Sequence, residues 1–190
     1  MNVCVFCGSS GGRDPVYAET ARHLGRALAS RATGLVYGGG SIGLMGILAD
    51  EVMASGGRAV GVIPAFLNDL ELGHRGVTEL RVVGSMHERK ALMAELSDAF
   101  LALPGGFGTV EEFCEMLTWA QLGLHAKPCA LLNVNGFFDP LLAFFDHQAE
   151  AGFLSPKHRA LVLVEEEIGR LLDGLASFPP SAPSAHLAET

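Results

Sequence analysis

A chain of 190 residues that is 49% hydrophobic and 18% charged, with no apolar run near the ~20 residues a membrane span needs, reads as one soluble globular domain. Thirteen Lys and Arg against 21 Asp and Glu leave a net charge of -8, which excludes a broad basic face for gathering a nucleic-acid backbone. The 24 glycines are nearly twice the usual share of about 7% and follow no collagen-like period, so the chain is mostly interior joined by tight turns.

The first residues, MNVCVFCGSS, lack the basic region and the long apolar stretch of a secretory signal, and a cytoplasmic location is expected. Apolar β-prone runs follow in order at Val3 to Cys7, Leu35 to Tyr37, Ala59 to Ile63, Leu80 to Val83, Ala99 to Leu103, Ala130 to Val134 and Leu161 to Val164. Several are almost continuously hydrophobic, as strands covered on both faces are, and segments of helical period separate them. The pattern predicts a doubly wound α/β fold: a mostly parallel sheet of about seven strands with helices on both faces. Cys4 and Cys7 form a CxxC, but residues three apart on a strand face opposite sides, and no second pair or nearby His completes a zinc site. With Cys114 and Cys129 isolated, all four read as small apolar residues, and no metal is expected.

Helix starts are marked by Asp14-Pro15 and by two capping boxes, Ser85 with Glu88 and Thr109 with Glu112. The second box predicts a helix from Val110 to Leu122. The last residues, SFPPSAPSAHLAET, cannot bury enough surface to order themselves. The expected organisation is therefore one catalytic, nucleotide-binding domain over 1–176 and a flexible tail over 177–190.

Three strands run into glycine-rich turns: FCGSSGG, YGGGSIGLMG and LPGGFGTVEE. In a parallel sheet these turns share the carboxyl edge, where they converge on one crevice suited to a phosphate. Gly38 to Gly43 match G-x-G-x-x-G, but this motif follows the second strand, and the next strand ends GVIPAF without an acidic residue for a ribose hydroxyl. NAD or FAD is therefore disfavoured. In SMHERKALMAEL, Met86, Leu92, Met93 and Leu96 form an apolar helical stripe that Arg89 interrupts, with Lys90 beside it. Snorkelling to solvent is the ordinary explanation of such a pair; a place in the crevice is the other. Glu112 can serve as a cap, yet Glu111 and Glu112 beside a phosphate site are costly unless one carboxylate has chemical work. Carboxylates near a sugar phosphate suit cleavage at the sugar carbon.

GGGSIGLMG, MHERK and PGGFGTVEE, with ELGH upstream of MHERK and TWAQLGLHAKP after the third, resemble the Lonely Guy family of cytokinin-activating nucleotide phosphoribohydrolases, from the first strand to about Val164. The resemblance implies a Rossmann-like fold and hydrolysis of 5′-monophosphates of N6-modified adenosine to free base and ribose 5-phosphate, without a cofactor. It implies Arg89 and Glu112 as the catalytic pair. Substrate contacts follow for Gly39, Gly43, Glu71, Met86, Lys90, Gly105, Gly106, Phe107, Gly108, Thr109, Val110, Glu111 and Thr118. It also implies a homodimer with sites at the subunit interface. Older naming of such chains as lysine decarboxylases fits poorly, because Lys127 and Lys157 stand in ordinary loop contexts, AKP and SPKH. A phosphotransferase would use the same loops but lacks the P-loop lysine motif, and a nucleotide carrier or sensor would keep the loops without needing Glu112.

Overall fold

Strands β1 (Asn2–Phe6), β2 (Gly34–Tyr37), β3 (Ala59–Pro64), β4 (Glu79–Val83), β5 (Ala99–Ala102), β6 (Cys129–Leu132) and β7 (Val162–Glu165) form one seven-stranded sheet. Its order is β4-β3-β2-β1-β5-β6-β7, and all the neighbours pair in parallel. This computed structural model describes residues 1–70 and 72–178. Each run expected to be a strand is one, with ends moved by a residue or two. The last helix, α8 (Ile168–Ser177), includes the first residue assigned to the tail, and residues 179–190 lie outside the described part.

Alternation along the strands divides the core into two layers. Val3, Val5, Leu35, Tyr37, Leu101 and Leu132 point to one face, where α1 (Pro15–Ser30), α2 (Gly43–Ala54) and α8 cover them. Cys4, Phe6, Val36, Phe100 and Leu131 point to the other, under α4 (Met86–Glu95), α5 (Phe107–Gln121) and α6 (Asp139–Glu150). Apart from Asn2, the inner strands β1, β2, β3, β5 and β6 are buried throughout, whereas at the edges β7 is mixed and β4 is half-buried to exposed. Two short helices, α3 (Ala65–Asn68) and α7 (Pro156–Arg159), lie in the connections. Cys4 and Cys7 sit in opposite layers, and burial pushes both thiols well above the ordinary range. Reactive thiolates are thereby disfavoured at both.

Two of the expected caps form. Asp14 Oδ1 accepts from the Val16 amide at 3.0 Å, and Ser85 Oγ accepts from the Glu88 amide at 3.1 Å. Glu88 returns a bond to the Gly84 amide at 2.8 Å, one residue further back than a strict box. The third differs. Helix α5 starts at Phe107 with Gly106 as its cap, so Thr109 lies inside the first turn and Glu112 caps nothing. Glycines around Phe107 leave the chain free to wind earlier than the hydroxyl pattern predicts. Glu112 is consequently released for other contacts.

The strand order reverses between β2 and β5 on either side of β1, making a topological switch point. The crevice there lies outside the carboxyl ends of the strands, between the turns that follow β1 and β5.

Candidate active site

The three glycine-rich turns are hydrogen bonded to one another. The Gly8 amide donates to the Pro104 carbonyl at 3.1 Å, and the Gly8 carbonyl accepts from the Leu44 amide at 3.0 Å, joining the turns after β1, β5 and β2. Gly43 has φ +63° and lies against the backbone of Ser9, where a Cβ would collide. Only glycine tolerates both the left-handed backbone and that approach. In the third turn, the first-turn amides of Phe107, Gly108 and Thr109 have no intrahelical acceptor, and they carry the positive end of the α5 dipole. They make an anion seat. A Cβ on Gly105 would strike Oγ1 of the buried Thr109, so this glycine lets the turn fold tightly against its own helix.

Arg89 enters from α4 and is 7% exposed. Its Nε donates to the Val62 carbonyl at 3.2 Å and its Nη2 to the Gly38 carbonyl at 3.1 Å, while Nη1 lies 3.5 Å from Glu112 Oε1. Nη1 is also 3.8 Å from Met86 Sδ. The guanidinium is thereby held by the ends of β3 and β2 and directed at α5. A Cβ at Gly38 would overlap Nη2, so the first glycine of the turn makes room for an arginine within the chain. Burial pushes the Glu112 carboxyl above the ordinary glutamate range, and the Arg89 charge offsets only part of that.

Lys90, 8% exposed, turns the other way along α5. Its Nζ is 2.5 Å from Glu111 Oε1 and 3.0 Å from Glu115 Oε2. Burial alone pulls an ammonium down, but the bonds to the two carboxylates outweigh it and Lys90 is raised above the ordinary lysine value. Snorkelling is excluded for both basic residues. Helix α4 presents two adjacent cations to α5, which answers with carboxylates at Glu111, Glu112 and Glu115.

Of the expected site residues, Gly39, Met86, Arg89, Lys90, Glu111 and Glu112 surround this double pairing, and Gly43 with Gly105 to Thr109 belong to the linked turns. Phe107 is 98% exposed, and Val110 lines a shallow apolar hollow with Phe137 and Leu141. Thr118 is apart. Six residues beyond Glu112 and roughly 9 Å along the helix, its Oγ1 donates to the Cys114 carbonyl at 2.8 Å, and it borders a groove with Phe145, Phe153 and Leu154. Glu71 lies outside the described residues. Sequence reasoning missed Glu115, although its position four residues after Glu111 puts it on the same helical face. Among the described residues, no group of three or more His, Cys, Asp or Glu could hold a metal ion.

Comparison with known proteins bears on this arrangement. Residues 45–175 match the family described as "possible lysine decarboxylase". A cytokinin riboside 5′-monophosphate phosphoribohydrolase of Rhodococcoides fascians is 54% identical over 168 residues, 88% of this chain and 85% of that protein. One from Arabidopsis thaliana is 49% identical over 178 residues, 94% of this chain and 83% of that protein. The chain belongs to the Lonely Guy family.

The fold is shared more widely than the family. The molybdenum cofactor carrier protein of Chlamydomonas reinhardtii superposes with a TM-score of 0.69 over 93% of this chain and 96% of its own, at 20% identity. That likeness concerns the Rossmann-like fold alone. The name attached to the family model and the names of these Lonely Guy relatives disagree about chemistry, and the surroundings of Lys90 bear on the disagreement. A Schiff-base lysine must give up its proton, whereas this one is held charged by two carboxylates.

Proposed function

We propose that this protein hydrolyses the N-glycosidic bond of N6-modified adenosine 5′-monophosphates to free base and ribose 5-phosphate, with N6-prenylated AMP preferred over plain AMP. The observation that carries this reading is the buried Arg89–Glu112 pair one turn from the free amides of α5. The amides of Gly106 to Thr109 receive the 5′-phosphate, which fixes the ribose over the second turn of the helix. There the Glu112 carboxylate stabilises positive charge growing at the anomeric carbon and orients the water that replaces the base. Arg89 keeps that carboxylate ionised in a poorly solvated position. Lys90, bonded to Glu111 and Glu115, balances two of the remaining charges beside a phosphate that the overall charge of -8 repels. A nucleotide carrier would need the amides but not a desolvated carboxylate. Incubating the purified protein with AMP and with N6-isopentenyl AMP, and separating the products, tests the reading. Stoichiometric free base and ribose 5-phosphate are expected; bound but intact nucleotide would favour the carrier.

Decarboxylation is expected to be absent. Lys127 donates from Nζ to the Ala94 carbonyl at 2.8 Å, and Lys157 is exposed on α7. With Lys90 held by its two carboxylates, no pyridoxal absorbance and no cadaverine from lysine should appear, with or without added pyridoxal phosphate. Cofactor-dependent cadaverine would reverse that conclusion.

A homodimer completes the proposal. On α5 the helical period sets Trp119 and Leu122 outside the stripe of Phe113, Met116, Leu117 and Ala120; Trp119 packs partly against the chain's own core, while Leu122 is 44% exposed and is joined by Leu124 and Phe153, 66% and 89% exposed. Such a surface favours burial against another copy, and two-fold closure is the commonest way to do it. Across that axis Thr118 reaches the partner's nucleotide, which accounts for its distance from Glu112. Light scattering should give twice the 20.0 kDa subunit mass, and Leu124→Glu should yield monomers of low activity. A fully active monomer would exclude this assembly. The dimer works in the cytoplasm, where its four cysteines stay reduced, and has no nucleic-acid or membrane partner; among the described residues no helix is long and apolar enough to cross a membrane.

A further inference from the structure

The turn that receives Arg89 is not held by the sheet alone. Residues 39–41, just after β2, pair with residues 72–74 of the connection before β4 through an antiparallel bridge between Gly40 and Gly73. The Ser41 amide donates to the Leu72 carbonyl at 2.9 Å, Ser41 Oγ reaches the same carbonyl at 3.2 Å, and the His74 amide donates to the Gly39 carbonyl at 2.9 Å. This small ribbon stands outside the main sheet and needs a separate anchor. The His74 side chain supplies one. Its Nδ1 accepts from the Gly76 amide at 3.1 Å, which leaves the proton of the neutral ring on Nε2, and Nε2 donates to Asp50 Oδ1 of α2 at 3.0 Å.

We propose that His74, held by Asp50, is a positioning residue that clamps the 72–76 segment onto the second glycine turn and so fixes the carbonyl that orients Arg89. The chain of contacts is continuous. Asp50 on α2 holds the ring, the ring holds the segment, the His74 amide holds Gly39, and the neighbouring Gly38 carbonyl accepts from Arg89 Nη2. His74 touches no reacting atom. Without its ring the ribbon keeps its backbone bonds but loses its tie to α2, and with φ +74° at Gly39 the turn has more freedom than most backbone once untied. A guanidinium misplaced by a fraction of an ångström weakens transition-state contacts more than nucleotide binding, so kcat changes more than KM.

This inference rests on the hydrolase reading for its kinetics but not for its geometry, so the test has two arms. Amide hydrogen exchange in the purified protein should be faster at residues 41 and 74 in His74→Ala and Asp50→Ala than in the wild type, with melting temperatures within a few degrees. In turnover of N6-isopentenyl AMP, both variants should lose kcat by about 10-fold with KM changed less than about 3-fold. His74→Gln, which can still donate to Asp50, should recover most of the rate. His74→Asn, which can accept from Gly76 but cannot reach Asp50, should not. Unchanged exchange at residues 41 and 74, or wild-type kcat in Asp50→Ala, would overturn the clamp. If the wild type turns over no nucleotide, the hydrolase reading falls and the exchange arm alone decides the clamp.

Discussion

Glu112→Gln is expected to lower kcat for nucleotide hydrolysis at least ~100-fold while nucleotide still binds. The amide keeps the volume and an oxygen for Arg89 to donate to, but not the negative charge that answers an oxocarbenium-like centre. Because burial holds the wild-type carboxyl above the ordinary glutamate value of 4.5, the acid limb of kcat/KM should also lie above that value and vanish with the substitution. The same shift has a stability counterpart. A folded-state pKa raised above the unfolded one means that the native protein binds the extra proton, so Glu112 costs stability as pH rises from 4.5 to its folded value. Melting curves of wild type and variant, subtracted across pH, should show that loss in the wild type only. A variant that melts early yet keeps its rate per folded molecule would return Glu112 to a merely structural part.

Arg89→Ala should be comparably damaging to turnover, by ~100-fold or more, since it removes the partner that keeps Glu112 charged. It also leaves the carbonyls of Val62 and Gly38 without their donor, at a cost of about 1–3 kcal/mol for each unsatisfied buried group. Glu112 can take up a proton, so the fold should survive this loss. Lysine should rescue poorly, because one ammonium cannot meet two carbonyls and a carboxylate in the directions the planar fork serves. Full activity in Arg89→Ala would remove the residue from the mechanism. Activity restored by free guanidinium in solution would strengthen its place there.

Legibility from sequence followed how local the signal was. The inner strands could be read because burial on both faces leaves a continuous apolar run, the edge strands β4 and β7 because short β-prone runs remain there, and Asp14 and Ser85 because a cap acts within a few residues. Thr109 misled for the same reason: a hydroxyl with glutamate three residues on looks like a cap wherever the helix starts, and the glycines before it allowed an earlier start. Arg89 was conspicuous as a cation in an apolar stripe, but its acceptors at Gly38 and Val62 lie 51 and 27 residues away and come near only when β2 and β3 pair. His74 stood in ELGH, but its role was hidden on similar grounds, since its bond to Asp50 depends on the connection before β4 meeting helix α2.

The switch point beside β1 has a consequence for how the enzyme fails. Arg89 takes its bearings from β2 and β3 on one side of β1, and Glu112 rides on the helix that follows β5 on the other. Neither half of the sheet holds both members of the ion pair. The separation between the two charges is a gauge of how the halves are seated, read out through the β1–β5 contact from Val3 opposite Ala99 to Phe6 opposite Ala102. Changes that loosen this seam, such as trimming Phe100 beneath Phe6, should show first as lost turnover in protein that still has its full helix and strand content. Turnover is therefore expected to fall before the chain unfolds, which circular dichroism and an activity assay on the same sample would check.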